Sequence, residues 1–199
     1  MRVFGLTGGS GTGKTTVLRV LSAFGAKVID CDKVYHQLLQ ENGQLLAEIR
    51  ERFPMAFEGG CLNRKQLGNI VFNDEAALQD INAIAHKYVC VAVDALLAQY
   101  RAESTDIVAI EAIALVESGL SKRCDLVIAT VAKKEERIRR IVKREGVSED
   151  YAIARIQSQK SDAFFTEHSD YVLESKFERK EDFLAHVNAF FQKILEDER

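Results

Sequence analysis

Residues 3–16 read Val-Phe-Gly-Leu-Thr-Gly-Gly-Ser-Gly-Thr-Gly-Lys-Thr-Thr, and this stretch decides the fold. Its central part, Gly8–Thr15, fits the pattern G-x-x-x-x-G-K-[ST]. The apolar run Val3–Thr7 before it has the length of a buried strand, and a helical pattern opens at Lys14. A strand, a glycine-rich loop and a helix in this order form a cradle of backbone N–H groups for phosphates. The sequence therefore predicts a nucleoside triphosphate site.

Each residue type in this loop has a defined task in binding a triphosphate. Glycines let backbone N–H groups approach phosphate oxygens, the Lys14 ammonium group reaches the β- and γ-phosphates, and the Thr15 hydroxyl can hold Mg²⁺. The predicted ATP-binding residues of the loop are Gly9, Ser10, Gly11, Thr12, Gly13, Lys14, Thr15 and Thr16. A glycine-rich turn with an incidental lysine is the alternative, and the flanking strand and helix make it the weaker one. The spacing does not fit the dinucleotide-binding fingerprint G-x-G-x-x-G.

Short apolar runs alternate with helical stretches along the whole chain, which predicts an α/β fold with a parallel sheet. The predicted strands are Val3–Thr7, Lys27–Ile29, Ile107–Ile110, Leu126–Val131 and Tyr171–Leu173. The predicted helices are Lys14–Phe24, Lys33–Leu39, Gln44–Phe53, Arg64–Phe72, Asp74–Tyr100, Lys134–Glu145, Ser148–Gln159 and Glu181–Glu196. The sequence has one proline and no linker or repeat, so we predict a single unit over residues 1–199.

The connection between the second and third predicted strands is about seventy residues long, far more than a crossover between parallel strands needs. It looks wholly helical, and we expect this insertion, approximately 32–104, to bind the phosphoryl acceptor. A second helical segment, approximately 133–164, is predicted to form a lid. The core is then approximately 1–31, 105–132 and 165–199.

The composition is that of an ordinary globular protein. The 199 residues are 47% hydrophobic and carry a net charge of −3, which excludes a disordered or fibrous chain. A negative net charge gives no overall attraction for nucleic acid or an anionic membrane, and no apolar run approaches the ~18 residues that cross a bilayer. The four cysteines lack zinc-site spacing, as is typical of reduced thiols. We expect a cytoplasmic protein with neither nucleic acid nor a membrane as partner.

A triphosphate site alone does not distinguish a kinase from a GTPase switch or a motor. The sequence contains no N-K-x-D segment to read guanine, and no D-x-x-G segment follows a strand as a γ-phosphate switch requires. A motor needs coupled domains. One phosphate loop with a helical insertion favours a small-molecule kinase that uses ATP and Mg²⁺.

Two carboxylates follow the second predicted strand, in the segment Val28-Ile29-Asp30-Cys31-Asp32. In an extended backbone, residues two apart point the same way, so Asp30 and Asp32 are expected to share the carboxyl edge of the sheet, where ligands bind. A carboxylate there can accept the proton of a substrate hydroxyl during phosphoryl transfer. Asp32 is therefore the predicted catalytic base. The alternative is that either residue caps the helix predicted to begin near Lys33.

The third predicted strand runs into Glu111. Phosphate-loop proteins often place an acid near Mg²⁺ at this point, so Glu111 is predicted to share the metal site with Thr15. A half-buried strand that ends in an acidic loop is the alternative.

A basic helix is predicted in this acidic protein, with seven Lys and Arg residues between positions 133 and 144. Arg137, Arg140 and Arg144 lie three and four residues apart, so they share one helix face, where like charges repel unless an anion lies between them. A triphosphate is such an anion, and a lid that closes on ATP would bring guanidinium groups to it. The alternative is a solvated face with ordinary pairs such as Glu136 with Arg140.

Taken in order, these segments resemble the dephospho-coenzyme A kinase family over nearly the whole chain. The matching segments are GLTGGSGTGKTTV, VIDCDKV, LNRKQLGNIVFND, INAIAH, ALVESGL and RIRRIVKREGVSEDYAIARIQSQ. The resemblance implies a P-loop NTPase-type, five-stranded parallel sheet flanked by helices, a helical region that receives dephospho-coenzyme A, and a helical lid. It implies the transfer of phosphate from ATP to the ribose 3′-hydroxyl, which gives coenzyme A and ADP.

The resemblance also implies roles for individual residues. Asp32 would take the proton of the 3′-hydroxyl, while Lys14 and Thr15 would hold ATP and Mg²⁺. From the lid, Arg140 would act as a catalytic residue and Arg144 would bind ATP phosphates. The implied acceptor-binding residues are Asp30, Asp32, His86 and Glu117.

Three positions depart from the family pattern. Lys87 follows His86 where the family has proline, Ile113 also stands where the family has proline, and Ser175 replaces the usual asparagine. These departures fall in the acceptor and adenine-side segments. Two other functions therefore stay open: a kinase for another small hydroxyl acceptor, such as a nucleoside monophosphate or a sugar acid, and a non-catalytic nucleotide-binding regulator. The sequence also leaves open a weak homo-oligomer.

Overall fold

The structure is a computed structural model that describes residues 1–176 and 179–196. The strands are β1 (Arg2–Thr7), β2 (Lys27–Asp30), β3 (Phe57–Glu58), β4 (Cys61–Leu62), β5 (Ile107–Glu111), β6 (Leu126–Val131) and β7 (Tyr171–Glu174). The helices are α1 (Lys14–Ala23), α2 (Cys31–Glu41), α3 (Gly43–Arg52), α4 (Arg64–Phe72), α5 (Glu75–Ala102), α6 (Lys134–Glu145), α7 (Glu149–Gln157), α8 (Asp162–Glu167) and α9 (Lys180–Glu196). Single 3₁₀ turns lie at Pro54–Ala56 and Leu120–Arg123.

The main sheet has five strands in the order β2-β5-β1-β6-β7. β1 runs parallel to β5 and β6, and Phe4 of β1 lies opposite Ala109 of β5 and Leu126 of β6. β1 is therefore central, which explains why its residues from Val3 to Thr7 are all buried. The α/β fold with a five-stranded parallel sheet, predicted from the alternating pattern and the family resemblance, is confirmed.

The sheet belongs to one compact unit, formed by Met1–Ile29 and the described residues from Tyr100 onward. Its core packs α1 and α9 against one face of the sheet. Phe4 meets Phe191 edge to face, with ring centroids 5.7 Å apart. Burying one such side chain stabilises the fold by ~1.5–3 kcal/mol, so this layer fixes β1 and the loop that follows it.

A second compact unit spans Asp30–Gln99 and has a core of its own. The buried apolar side chains come from α3, α4 and α5 and include Leu45, Ile49, Leu67, Ile81 and Ile84. The division of the chain into nucleotide core, acceptor-binding region and lid stays a prediction.

The second unit is not wholly helical, so that expectation is wrong. β3 and β4 pair as an antiparallel hairpin, with Phe57 opposite Leu62. The residues between the strands, Gly59 and Gly60, have φ of +55° and +86°. Two residues with positive φ form the tight hairpin turn that matches strand twist, and a Gly-Gly pair is its sequence signal.

The end of β2 also differs from the expectation. The Asp30 carboxylate accepts a hydrogen bond from the Lys33 backbone N–H at 3.0 Å, so Asp30 is the N-cap of α2. α2 begins at Cys31, two residues earlier than predicted. The expectation that Asp30 and Asp32 share an extended backbone is therefore wrong, because Asp32 lies in the first helical turn.

α5 runs without interruption through Lys87. A proline there would remove a helix N–H donor and clash with the preceding turn, so lysine suits this helix. The Lys87 Nζ atom instead lies 2.8 Å from the Glu48 carboxylate on α3. In the described part of the chain, α5 is the one helix long and apolar enough to cross a membrane by length and composition. Core helices pass the same test, and Ile81 and Ile84 of α5 lie in the second core.

The segment predicted as a lid contains α6, α7 and the start of α8. α7 ends at Gln157 rather than at the predicted Gln159. α8 is a short helix that the periodicity did not predict, and the Ser161 hydroxyl caps it by accepting the Phe164 N–H. These helices lie in the same compact unit as the phosphate loop.

Candidate active site

The loop between β1 and α1 has a backbone that only glycine adopts readily at three positions. Gly8, Gly11 and Gly13 have φ of +129°, +80° and +109°. Space is short as well, because a Cβ atom on Gly8 would lie 2.3 Å from the Thr130 carbonyl oxygen. A Cβ atom on Gly11 would lie 2.8 Å from the carbonyl oxygen of Arg137. The glycines of the motif are thus required by both dihedral angle and packing.

The hydroxyl groups of Thr12 and Thr130 form a hydrogen-bond network that holds the loop. The Thr12 side chain is 1% exposed, and its hydroxyl donates to the Gly9 carbonyl at 2.8 Å. The same hydroxyl lies 2.6 Å from that of Thr130 on β6, which reaches the Thr7 carbonyl at 3.4 Å. The Thr12 hydroxyl is therefore committed to the loop itself.

Lys14 lies at the start of α1, with its ammonium group folded over the loop. Nζ donates to the Gly8 and Gly9 carbonyls at 2.7 and 3.2 Å and lies 3.6 Å from a Glu111 carboxylate oxygen. Both charged side chains are largely buried, at 12% and 14% exposed. Because ion pairs strengthen as water is excluded, this pair holds the lysine at the mouth of the loop. A triphosphate that entered here would meet a preplaced cation.

Two residues next to Lys14, one in sequence and one in space, carry oxygen atoms that suit Mg²⁺. Thr15 is exposed in the first turn of α1, and Glu111 at the end of β5 is the carboxylate beside Lys14. A hydroxyl and a carboxylate are donors that suit Mg²⁺, which usually keeps water and phosphate oxygens as its other ligands. Within residues 1–176 and 179–196, no three His, Cys, Asp or Glu side chains gather as a metal site. Thr15 and Glu111 therefore fit a metal that arrives with its nucleotide.

Arg137 of α6 is buried against the loop, at 5% exposed. Its guanidinium donates to the Ser10 carbonyl at 2.9 Å, to the Asp162 carboxylate at 3.0 Å and to the Gln159 side chain at 3.2 Å. Burial lowers the pKa of Arg137, and the charge of Asp162 raises it in part. The expectation that this helix face requires a bound anion is wrong for Arg137, because Asp162 supplies the negative charge within the chain.

Arg140 reaches the next peptide of the loop. One guanidinium nitrogen donates to the Gly11 carbonyl at 3.1 Å, and another donates to the Ser175 carbonyl at 3.3 Å. Burial lowers the pKa of Arg140, and Glu136 raises it in part from 3.7 Å away. Arg144 instead is exposed and pairs with Glu145 at 2.5 Å. Of the three arginines on this face, the structure thus brings two to the loop.

Two of the departures from the family pattern, Ser175 and Ile113, form hydrogen bonds near the loop with their backbone groups. Ser175 is 2% exposed, and its N–H donates to the Val131 carbonyl at 2.8 Å. The Ile113 carbonyl accepts the Thr7 hydroxyl at 3.0 Å. Because these bonds use main-chain atoms, they do not depend on the side chains that differ.

In the second unit, Asp32 lies exposed in the first turn of α2, and Lys33 pairs with Asp30 rather than with it. His36 is one turn further along, on the same helix face as Asp32. The His36 Nδ1 atom lies 2.7 Å from an Arg64 guanidinium nitrogen at the start of α4. Burial raises the pKa of the neighbouring Tyr35 hydroxyl, and Arg64 lowers it in part. Asp32 thus shares its helix face with a histidine that contacts the Arg64 guanidinium.

The two remaining acceptor candidates lie in different units. His86 is half-buried on α5 of the second unit. Glu117 is exposed in the turn after β5, in the unit that carries the sheet. The sequence motifs assign no individual role to four residues that the structure places at these contacts, namely His36, Arg64, Gln159 and Thr130. The family segments that begin LNRKQ and RIRRI contain Arg64 and Gln159, but the contacts of Gln159 and Thr130 could not be inferred, because both residues lie more than a hundred positions from the loop atoms they contact.

The comparisons with known proteins agree with this geometry. A family model described as "Dephospho-CoA kinase" matches residues 2–181. The chain belongs to the dephospho-CoA kinase family. A dephospho-CoA kinase from Dehalococcoides mccartyi is 37% identical over 202 residues, which cover 98% of this chain and 99% of the relative. The resemblance drawn from the sequence motifs is confirmed.

Solved structures show the same relationship for this dephospho-CoA kinase family member. TT1252 from Thermus thermophilus superposes with a TM-score of 0.81 at 29% identity and covers 98% of this chain and 97% of that one. Dephospho-CoA kinase from Campylobacter jejuni superposes with a TM-score of 0.69 at 25% identity and covers both chains fully. The chain is an enzyme, a phosphotransferase with a P-loop kinase fold.

Proposed function

We propose that this chain transfers the γ-phosphoryl group of ATP to the ribose 3′-hydroxyl of dephospho-CoA, giving coenzyme A and ADP. A bond forms between the 3′-oxygen and the γ-phosphorus, and the bond between that phosphorus and the oxygen of ADP breaks. The observation that carries the proposal is the Lys14 ammonium group, held 2.7 Å from the Gly8 carbonyl and 3.6 Å from Glu111. It lies in a chain whose family match spans residues 2–181.

The loop and the start of α1 bind the donor. The first N–H groups of a helix precede its regular hydrogen bonds, so those at the start of α1 can donate to phosphate oxygens, whereas the Thr16 N–H already donates to the Gly13 carbonyl at 2.9 Å. Lys14 exchanges its carbonyl partners for phosphate oxygens when ATP enters. Mg²⁺, held by Thr15 and Glu111, would neutralise phosphate charge. Arg140 stabilises the charge that develops on the transferring group, and Arg144 adds a further cation from α6.

The acceptor meets the second unit. Asp32 accepts the proton of the 3′-hydroxyl, since it is an exposed carboxylate at the start of α2. Dephospho-CoA carries an anionic diphosphate, and the Arg64 guanidinium, which lies 2.7 Å from the His36 Nδ1 atom, supplies a cation for it on the same unit. Asp30, His86 and Glu117 are further acceptor-binding residues in this proposal. Family membership does not favour a different acceptor or a non-catalytic regulator.

The reaction takes place in the cytoplasm under this proposal, with small molecules as the partners. The four cysteines, Cys31, Cys61, Cys90 and Cys124, are free thiols, which suits a reducing compartment.

The test is ADP release by the purified protein with ATP and Mg²⁺, with and without dephospho-CoA. We expect acceptor-dependent ADP release, a product heavier by one phosphate, and attachment at the 3′-oxygen by phosphorus NMR. Lys14→Ala should lose this activity, whereas Lys27→Ala, at an exposed lysine of β2, should keep it. ATP binding without acceptor-dependent ADP release would overturn the proposal.

A further inference from the structure

Gln159 makes a two-point contact with the phosphate loop. The Ser10 backbone N–H donates to the Gln159 side-chain oxygen at 2.8 Å. The Gln159 side-chain nitrogen donates to the Ser10 hydroxyl, also at 2.8 Å. The two residues are 149 positions apart in the chain. A carboxamide suits this contact because it carries one donor and one acceptor group side by side.

Arg137 completes the contact. Its Nε atom donates to the Ser10 carbonyl at 2.9 Å, and one terminal nitrogen donates to the Gln159 oxygen at 3.2 Å. The N–H, the carbonyl and the hydroxyl of Ser10 are thus all held by two side chains. Because both peptide groups of Ser10 are fixed, the direction in which the loop enters Gly11 is fixed as well.

The position of Gln159 depends on where α7 ends. The helix stops at Gln157, and the Gln159 backbone N–H donates to the Ile156 carbonyl at 3.3 Å in a closing turn. This turn sets the backbone of Gln159 so that its side chain extends to the loop. Gln159 lies outside α7, so its backbone is not constrained to helical geometry. The end of α7 at Gln157 therefore contributes to the contact with Ser10.

We infer that Gln159 is a positioning residue for ATP binding. Its carboxamide turns the Ser10 N–H toward the α7–α8 connection and thereby orients the following peptides, whose N–H groups converge on the phosphates. This inference rests on the proposed function of the loop as the ATP site. Gln159 acts through Ser10 and needs no contact with the substrate.

The experiment compares Gln159→Met with Gln157→Met. Methionine keeps the length of the side chain and removes its two hydrogen bonds with Ser10 and the one from Arg137. Gln157 is an exposed residue two positions earlier that serves as the matched control. Calorimetry should show the Kd for ATP with Mg²⁺ rising about 10-fold or more in Gln159→Met, as expected when the two hydrogen bonds that orient Ser10 are lost. Gln157→Met should bind ATP like the unaltered protein.

Kinetics separates positioning from general damage. In Gln159→Met, KM for ATP should rise with the Kd, while KM for dephospho-CoA should stay unchanged. Ser10→Ala removes the hydroxyl contact alone, so it should weaken ATP binding less than Gln159→Met. Adding Ser10→Ala to Gln159→Met should cost little more than Gln159→Met alone, because the shared contact is already lost. An ATP affinity unchanged by Gln159→Met would overturn the inference.

One further measurement, amide exchange, keeps the inference testable. If Gln159→Met does not fold, amide exchange in the unaltered protein decides, because a bonded Ser10 N–H exchanges slowly and rapid exchange there refutes the contact. The calorimetric arm needs no acceptor. Failure of dephospho-CoA phosphorylation would therefore overturn the proposed function, and the Kd ratio would still decide the role of Gln159.

Discussion

Arg140 donates a hydrogen bond to the carbonyl oxygen of Gly11, 3.1 Å away in the phosphate loop. The other end of the guanidinium holds the Ser175 carbonyl that follows β7. One side chain of α6 thus links the loop to the segment that follows the edge strand. The same charge lies beside the loop where a triphosphate would lie under the proposed function.

Arg140→Met should therefore weaken catalysis. Hydrogen bonds to charged groups contribute ~1.5–3 kcal/mol, so kcat/KM for ATP should fall by about 10- to 100-fold. Arg139→Met is the matched control, because Arg139 is exposed on the same helix and pairs with Glu136. Steady-state kinetics with ATP varied measures both. Equal rates for the two variants would show that the proximity of Arg140 to the loop has no catalytic use.

Asp32→Asn should lower kcat by ~10²- to 10⁴-fold, since the amide cannot accept the hydroxyl proton as the carboxylate does. ATP affinity should stay close to that of the unaltered protein. Glu41→Gln, at the other end of α2, removes a charge from the same helix and serves as the control. Single-turnover phosphoryl transfer is the measurement. A near-normal rate for Asp32→Asn would remove this residue from the role of base.

Arg64→Met should raise KM for dephospho-CoA by about 10-fold or more, because a charge-assisted bond to the acceptor is lost. KM for ATP should not change. Lys65→Met, at the exposed neighbouring position, controls for the loss of a positive charge. The two Michaelis constants are measured with the other substrate saturating. A rise in KM for ATP instead would contradict an acceptor-side role for Arg64.

Gly9→Ala and Gly43→Ala test the packing of the loop. A Cβ atom on Gly9 would lie 2.1 Å from an Arg137 guanidinium nitrogen, whereas one on Gly43 meets nothing within 4 Å. Overpacking and lost hydrogen bonds should destabilise Gly9→Ala by ~1–3 kcal/mol and weaken ATP binding. Gly43→Ala, at the first residue of α3, should be neutral or stabilise the fold by up to about 1 kcal/mol. Urea unfolding compares the two, and a stable Gly9→Ala would disagree with the position of Arg137.

The cysteines should differ in their reaction with iodoacetamide at pH 8. Burial raises the pKa of Cys124 to about 12, so its reactive thiolate is scarce at this pH, whereas Cys61 is exposed on the hairpin. The folded state favours the neutral thiol of Cys124, so its contribution to the free energy of unfolding is fully present below the usual thiol pKa of 9.0 and is lost as the pH rises from there toward about 12. Peptide mass spectrometry should find Cys61 modified first and Cys124 only after unfolding. Early modification of Cys124 would contradict its burial.

The local chemistry of the chain was readable from sequence. The phosphate loop was predicted because glycine spacing, the preceding apolar run and the following helix all constrain a few adjacent residues. The ends of α4, α6 and β6 were predicted to the residue for the same reason, since caps and periodicity act over one or two turns.

Contacts between distant residues were not readable in this way. The Gln159–Ser10 contact joins positions whose separation carries no periodic signal. The end of β2 was misjudged because an Asp at a strand end serves equally as a strand residue or as a helix cap, and the Lys33 N–H decides between them. The hairpin at Phe57–Leu62 has a local sequence signal in Gly59-Gly60. It was missed because helical patterns precede and follow it.

The central place of β1 in the sheet sets an order of events during synthesis. β1 leaves the ribosome before its partners β5 and β6, which end at residues 111 and 131. The second unit, with a core drawn from its own residues, is translated in the interval. Contacts of such long sequence separation form slowly, and the residues that hold Ser10 come later still, at positions 137 and 159. A nascent chain therefore carries its phosphate motif long before it acquires the residues that complete the loop.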